Sequence, residues 1–320
     1  MNLSEGIITE NLLSQNHFYK PIYGHEKNER LLRDWIEQDC LPPVLMFYGA
    51  NGVGKCSVAM KLAYSIVTSS AYGVKCGTSE LDASVHNCVH PDLQIIAVAS
   101  LDELRTEVSR MCHLPVLAPK RVVIFKNIHQ YSKLLSNSLL KLIEEPPLRT
   151  QIIMLSDDIN LVLPTIRSRC IRMCFYPLNI DVLKQVFRDK NAIGEVLLAG
   201  SSIGHVYALQ SSNALEVYKT ILREFSTANV SNLATMLAAL DIEVVSILIH
   251  RIMHIIISQC SENFIELLPE EMAFVRGKSF DVDMLSEMYQ KIYVYRLYQL
   301  YNPAIYYYFF DMLCKNMHKL

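Results

Sequence analysis

The first 175 residues alternate between short apolar runs and segments in which apolar residues recur at helical spacing. The apolar runs are rich in β-branched and aromatic residues, and they lie at 44–48, 93–98, 121–125, 151–155 and 171–175. The segments with helical spacing lie at 26–38, 55–69, 101–112 and 131–144. Buried strands that alternate with amphipathic helices predict βαβ units and a parallel sheet covered on both faces.

The rest of the chain has helical spacing and almost no residues that interrupt helices. Ten of the eleven glycines and ten of the twelve prolines lie at or before Gly204. We therefore predict an α/β core over 1–177, a small helical lid over 178–210 and an all-helical collar or oligomerisation domain over 211–320.

Composition supports a folded chain of two or three domains, since 51% of its 320 residues are hydrophobic and 19% are charged. The formal net charge of −2 argues against a protein that coats nucleic acid through bulk electrostatics. The most apolar stretch, 244–257, has charged residues within or beside it and is shorter than a bilayer requires. It predicts a buried helix, and no membrane association is expected.

The cysteines indicate the redox state of the compartment in which the protein works. There are nine, they are scattered, and none forms a CxxC pair. No secretory signal is visible at the amino terminus, so we expect reduced thiols and a cytoplasmic protein.

A glycine-rich loop follows the first predicted strand. Residues 49–56 read GANGVGKC and match the pattern GxxxxGK, in which backbone N–H groups cradle phosphates at the start of a helix. Glycine allows positive φ and a close approach of the backbone to the phosphates, and the lysine contacts the β- and γ-phosphates. The candidate nucleotide-binding residues are Gly49, Gly52, Gly54, Lys55 and Cys56.

This loop lacks the groups that hold a metal ion. Cys56 stands where a serine or threonine hydroxyl binds Mg²⁺, and a neutral thiol is a poor ligand for that hard cation. The strand 121–125 is followed by Lys126-Asn127-Ile128-His129 and not by the acidic residues of a hydrolytic site. We expect no metal site and no hydrolysis. Two alternatives follow for the loop: it holds ATP or ADP without hydrolysing it, or it binds no nucleotide.

Two further segments carry a resemblance to a known family. Residues 137–147 read NSLLKLIEEPP and residues 163–170 read LPTIRSRC, with the strand 151–155 between them. Together with Tyr23-Gly24-His25 and His90-Pro91-Asp92, they resemble the delta-prime subunits of bacterial DNA polymerase III clamp loaders, which are AAA+ proteins. The resemblance covers about 20–210 and implies a P-loop AAA+ core.

The resemblance also implies roles for particular residues. Arg169, between Ser168 and Cys170, would be an arginine finger that acts in trans on the γ-phosphate held by a neighbouring subunit. We expect this arginine at the carboxyl-terminal rim of the sheet. Gly204 stands where the motor subunits carry the sensor 2 arginine, and Ser156 has the sensor 1 place. A disabled nucleotide site with an intact finger is the delta-prime combination.

The implied function is that of a non-hydrolysing stator subunit in a hetero-oligomeric clamp loader. Its partners would be the gamma/tau motor subunits, the delta subunit and the sliding clamp, with primed DNA contacted indirectly. The chain would then be part of a DNA-directed DNA polymerase holoenzyme, a nucleotidyltransferase, without ATPase activity of its own. The alternatives are an autonomous P-loop ATPase or nucleotide kinase, and a scaffold that binds no nucleotide.

The segment 70–90 corresponds to a zinc module in this family, but the chain keeps only Cys76 and Cys88, with His86 and His90 nearby. These four residues lack the CxxC spacing of a tetrahedral zinc site, so we expect no zinc. The aromatic residues from Tyr289 to Phe310 have few interleaved basic residues, which favours a core or oligomer face over stacking on bases.

Overall fold

The protein divides into two compact units, residues 1–178 and residues 179–320. A computed structural model describes part of each unit. The described residues are 22–74, 83–85, 89–97, 100–111, 113–188, 192–227, 240–260, 265–276, 287 and 290. The finer division of the second unit into a lid and a collar stays a prediction.

Five parallel strands form the sheet of the first unit. They are β1 (Val44–Tyr48), β2 (Leu93–Ile96), β3 (Arg121–Phe125), β4 (Thr150–Ser156) and β5 (Ile171–Cys174). Their order across the sheet is β2-β3-β4-β1-β5. In β1, Val44 pairs with Ile152 of β4, and Leu45 pairs with Ile153 of β4 and Ile171 of β5. All five strands lie where the sequence predicts them, and the parallel α/β fold is confirmed.

One helix precedes β1, and others connect the strands. Those of the first unit are α1 (Glu26–Glu37), α2 (Lys55–Thr68), α3 (Leu101–Met111), α4 (Lys133–Ser138), α5 (Leu140–Glu144) and α6 (Pro164–Arg167). The single helix predicted over 131–144 is two helices that meet at Leu139, and this prediction was wrong in that detail. Ser132 caps α4 by accepting the N–H of Leu135 at 3.2 Å. The N–H of Leu139 bonds to the carbonyl of Ser136, three residues back, which tightens the last turn of α4.

Alternating residues of each central strand point into two separate cores. In β1, Leu45 and Phe47 pack with residues of α1 and α2, such as Leu32 and Leu62. Val44 and Met46 of the same strand pack on the other face, against residues of α3, α4 and α5. Those residues include Leu104, Leu135 and Leu142. Helices therefore cover both faces of the sheet, as a continuous apolar strand requires.

A buried carboxylate organises the segment that leads into β3. Asp92 has no exposed surface and accepts the three successive N–H groups of residues 116–118 at 2.7 to 2.8 Å. The guanidinium of Arg121 lies 3.6 Å from the same carboxylate. It also donates to three carbonyls of the same segment, those of Arg110, His113 and Leu114. The pair thus satisfies backbone groups that no strand or helix satisfies.

These contacts shift the ionisation of the carboxyl group. Burial alone raises the pKa of Asp92, but the hydrogen bonds from residues 116–118 and the charge of Arg121 outweigh burial. Together they hold the pKa of Asp92 below its usual range.

The described part of the second unit is helical. Its helices are α7 (Ile180–Val186), α8 (Ile193–Ala199), α9 (Ile203–Ser211), α10 (Ala214–Thr227), α11 (Ile242–Cys260) and α12 (Pro269–Val275). The predicted buried helix over 244–257 is confirmed by α11, in which Leu248 and Ile252 are fully buried. Within the described residues, no helix is both long and apolar enough to cross a membrane. The aromatic stretch 289–310 lies outside the described residues.

One buried ion pair joins three helices of the second unit. Arg251 of α11 forms a two-pronged contact with Glu271 of α12, with both N···O distances at 2.8 Å. The hydroxyl of Tyr218 in α10 donates to the same carboxylate at 2.9 Å, and so does the N–H of Leu268 at 2.8 Å. The carboxylate therefore has a donor on each side, which offsets the cost of burying its charge.

We expect Asp92→Asn to lower the free energy of unfolding of the first unit by about 3 kcal/mol at neutral pH, because it breaks a buried ion pair. The new amide group would also face backbone N–H donors. Urea unfolding followed through Trp35, the single tryptophan, reports on this unit. Asp102→Asn is the matched control, since that side chain is 94% exposed. Equal stability of the two variants would contradict the assignment.

Acid should reduce the difference between wild type and Asp92→Asn. The folded pKa of Asp92 is lowered, so its contribution is complete above the unfolded value of about 3.9. It is lost as the pH falls through the folded pKa. The two unfolding curves should therefore converge at low pH, and a constant difference from pH 7 to pH 2 would overturn this expectation.

Candidate functional site

The phosphate loop connects β1 to α2, and its backbone has the conformations that the pattern predicts. Gly52 and Gly54 have φ of 73° and 109°, in the region that glycine favours. Gly49 needs to be glycine for a second reason. A Cβ there would lie 2.0 Å from the carbonyl oxygen of Phe175. The three glycines therefore allow a tight loop packed closely against the segment that follows β5.

His25 holds this loop from the side. Its Nε2 lies 2.8 Å from the carbonyl oxygen of Val53, and its ring meets the ring of Phe175 edge to face at 4.8 Å between centroids. The sequence singles out Tyr23-Gly24-His25 only through the family resemblance. The structure shows what the histidine does, which is to fix the middle of the phosphate loop.

The ammonium group of Lys55 is buried, with 7% of the side chain exposed. Its Nζ donates to the carbonyl oxygens of Gly49 and Ala50, both at 2.7 Å. It also forms an ion pair with Asp157 at 2.8 Å. A lysine has three N–H donors, so these three contacts use all of them. Any phosphate that approaches Lys55 must displace one of these partners.

Asp157 is a site residue that the sequence argument missed. It follows directly after β4, which neighbours β1 in the sheet. Its N–H donates to Nδ1 of His129 at 3.1 Å, and its carboxylate lies 3.8 Å from Nε2 of the same ring. The sequence feature that could have identified Asp157 is the acidic pair at 157–158, which follows a predicted buried strand. The carboxyl ends of parallel strands share one edge of a sheet.

Two positions that hold a magnesium ion in hydrolytic P-loop proteins carry unsuitable side chains in this chain. Burial raises the pKa of the Cys56 thiol despite the opposing charges of Lys126 and Lys55, so the thiol is neutral at pH 7. The residues that follow β3 carry no carboxylate. No cluster of three metal-binding side chains occurs among the described residues. The loop backbone suits phosphate, whereas Cys56 and the residues that follow β3 supply no good ligand for Mg²⁺.

The two predicted sensor positions lie in different units. The hydroxyl of Ser156 is buried and donates to the carbonyl oxygen of Asp158 at 2.8 Å. Gly204 lies in the first turn of α9, where the capping hydroxyl of Ser202 accepts the N–H of His205 at 3.3 Å.

Arg169 lies at the opposite edge of the sheet from the phosphate loop, and its predicted place at the carboxyl-terminal rim was wrong. Ile171, the first residue of β5, pairs with Leu45 near the start of β1. The chain leaves β4 at its carboxyl end and must cross the sheet before β5 can run parallel to it. Arg169 therefore sits at the amino end of β5. The arginine cannot reach the loop of its own subunit from there.

At this amino edge Arg169 is anchored on two sides. Its Nε donates to Glu144 at 2.6 Å, and its NH1 donates to the carbonyl oxygen of Thr165 at 2.9 Å. NH1 also lies 3.3 Å from the hydroxyl of Ser168. The third predicted residue, Cys170, is buried, and burial raises the pKa of its thiol to about 12. Cys170 therefore packs in the core and has no ionised form near neutral pH.

The predicted absence of zinc stays a prediction, because Cys76, His86 and Cys88 lie outside the described residues. His90 is described and buried, and its Nδ1 accepts the N–H of Asp92 at 3.1 Å. Burial lowers the pKa of His90 against the opposing charge of Asp92.

The similarity to known proteins lies mainly in the first unit. Residues 24–179 match the family model described as DNA polymerase III, delta subunit. The chain is 30% identical over 156 residues to DNA polymerase III subunit delta′ of Bacillus subtilis, covering 47% of this chain and 46% of that protein. It is 27% identical over 165 residues to the gamma/tau subunit of Mycoplasma pneumoniae, covering 51% and 24%. The chain thus spans less than half the length of either relative.

Solved structures that align with this chain include a DNA polymerase III gamma subunit-related protein from Thermotoga maritima. The TM-score is 0.48 at 15% sequence identity, over 91% of this chain and 99% of that chain. The Bacillus subtilis DNA clamp loader delta protein aligns over 90% and 99%, with a TM-score of 0.37 at 13% identity.

The sheet, the glycine loop and the lysine at the start of α2 define an α/β domain of the P-loop class. Within that class, the resemblance seen in the sequence is confirmed over residues 24–179, which are similar to the clamp-loader subunits of DNA polymerase III.

We expect Lys55→Met to destabilise the first unit by about 1–3 kcal/mol in the absence of any nucleotide. The reason is that Asp157 and two loop carbonyls lose their donor. A lysine that only awaited phosphate would leave the stability of the free protein unchanged. Trp35 fluorescence during urea unfolding measures the change, with the exposed Lys133→Met as the control. Equal midpoints for the two variants would contradict the internal role of Lys55.

Proposed function

We propose that this chain is a non-hydrolysing subunit of a DNA polymerase III clamp loader, of the delta-prime type. In this role it assembles with gamma/tau motor subunits and a delta subunit and helps place the sliding clamp on primed DNA. It contributes Arg169 to the ATP site of a neighbouring subunit. The similarity of residues 24–179 to such subunits supports the assignment to a clamp loader.

The observation that carries the non-hydrolysing part is the set of contacts made by Lys55. All three of its N–H donors go to the loop carbonyls and to Asp157. A nucleotide would have to compete with a carboxylate of the same chain for this ammonium group. If ATP or ADP enters the loop, it meets no carboxylate directly after β3 and a neutral thiol at Cys56, so these two positions do not hold a metal ion for hydrolysis.

The position of Arg169 supports its action on another subunit. The residue lies at the amino edge of the sheet, whereas the phosphate loop lies at the carboxyl edge. Its side chain is 39% exposed, which leaves it accessible to a neighbouring protein. A guanidinium has a planar fork of donors that matches phosphate oxygens, and its fixed charge stabilises the charge that spreads over a transferring γ-phosphoryl group.

The alternatives differ in what they need from these same residues. An autonomous P-loop ATPase or nucleotide kinase needs a hydroxyl after the loop lysine and a carboxylate after β3, and this chain has Cys56 and Lys126 at those places. A scaffold without nucleotide binding is compatible with the contacts of Lys55, but it assigns no role to Arg169. Substitution of Arg169 therefore separates the stator from the scaffold.

The purified chain is expected to show no ATP turnover above background, with or without Mg²⁺, because Cys56 and the residues after β3 supply no metal ligand. A sensitive phosphate-release assay on the wild type checks this. Metal-dependent turnover that disappears in Lys55→Ala would show that the loop hydrolyses ATP and that the proposed class is wrong.

Arg169→Ala is expected to leave assembly intact and to slow ATP hydrolysis at one neighbouring site by a factor on the order of 10². Lysine at this position should not restore the rate, since a point charge lacks the planar fork. The measurements are single-site turnover and the rate of clamp loading on primed DNA in the reconstituted complex. Arg172→Ala, an exposed arginine in β5, is the control. Unchanged rates in Arg169→Ala would leave only the scaffold.

A further inference from the structure

The two sequence segments that carry the family resemblance contact each other. Segment 137–147 contains Glu144, which is the last residue of α5, and segment 163–170 contains Arg169. Pro146 and Pro147 stop the helix and turn the chain into β4, so Glu144 lies near the amino edge of the sheet. Arg169 lies at the amino end of β5. The Nε of Arg169 donates to Oε1 of Glu144 at 2.6 Å.

We propose that Glu144 is a positioning residue for the arginine finger, which deepens the proposed function and depends on it. The contact uses the Nε side of the guanidinium. Thr165 and Ser168 accept from NH1, and among the described residues NH2 has no hydrogen-bond partner. The side chain is therefore held through Nε and NH1, and NH2 takes no part in these contacts. In the proposed assembly, NH2 is the group that reaches the phosphate of the neighbouring subunit.

The size of the interaction argues for orientation over stability. Glu144 is 47% exposed and Arg169 is 39% exposed. An ion pair this open to solvent contributes only about 0–1 kcal/mol to the free energy of unfolding. The same contact removes rotational freedom from a long side chain before any phosphate arrives. A group that is already oriented gains rate because that ordering does not have to occur in the transition state.

The chain offers a matched control in the next residue. Glu145 is also an exposed glutamate, and no side-chain hydrogen bond or ion pair is found for it among the described residues. Glu145→Ala removes the same charge from the same end of the helix without touching Arg169. Glu144→Gln keeps an acceptor oxygen at the same reach, so it separates orientation from charge.

The first measurement uses the full chain alone. The Nε–H signal of Arg169 in ¹⁵N NMR is assigned by its loss in Arg169→Lys. We expect this group to be rigid in the wild type, in Glu144→Gln and in Glu145→Ala, and mobile on the nanosecond timescale in Glu144→Ala. An Nε–H that is equally rigid, or equally mobile, in the wild type and in Glu144→Ala would overturn the proposal.

The second measurement uses the reconstituted clamp loader. Glu144→Ala should lower kcat at the neighbouring ATP site about 10-fold with little change in KM, while Glu144→Gln stays near the wild-type rate. In an Arg169→Ala background, Glu144→Ala should have no further effect, because its only route of action is gone. An equal loss in both backgrounds would mean that Glu144 acts through the fold and not through the arginine.

The two proposals fail in different ways. If Arg169→Ala leaves kcat unchanged, there is no finger, and both the function and the role of Glu144 are wrong. If Arg169→Ala lowers kcat but Glu144→Ala does not, the finger stands and only the positioning role is overturned.

Discussion

The structure of the first unit depends on a parallel sheet that is buried on both faces. The central strands of such a sheet can present polar groups to solvent or ligands only at their carboxyl ends and their amino ends. A strand rises about 3.3 Å per residue, so the two ends of β1 lie roughly 13 Å apart. The phosphate loop and Asp157 lie at the carboxyl edge. Glu144 and Arg169 lie at the amino edge, and this separation gives the chain two independent polar sites.

At the carboxyl edge, the contacts of the phosphate loop are explained by the need of one buried ammonium group, that of Lys55, for polar partners. A charge as buried as that of Lys55 needs a partner in the free protein. In a chain that always carried nucleotide, a phosphate could be the partner of this ammonium group. In this chain the partners are two loop carbonyls and Asp157, which follows the neighbouring strand. The contacts that stabilise the loop are therefore the same contacts that oppose phosphate binding.

Among the described residues, ion pairs differ widely in burial. Asp92 with Arg121, and Arg251 with Glu271, are almost wholly buried, and breaking such a pair costs about 3–5 kcal/mol. Their role is structural, because each satisfies backbone groups or joins helices. The pair of Glu144 and Arg169 is half-exposed and too weak to matter for folding, so its consequence lies in where the guanidinium is held.

The sequence by itself determined the features that depend on local pattern. Apolar runs predicted all five strands, glycine spacing predicted the loop, and Cys56 indicated a poor metal ligand, since each of these depends on residues close together in the chain. The tertiary structure decided which distant residues meet. The partnership of Lys55 with Asp157 depends on strand order, and the contact of Glu144 with Arg169 depends on where two turns converge. The edge on which Arg169 lies follows from the crossover between β4 and β5, because a parallel strand can begin only after the chain has returned across the sheet.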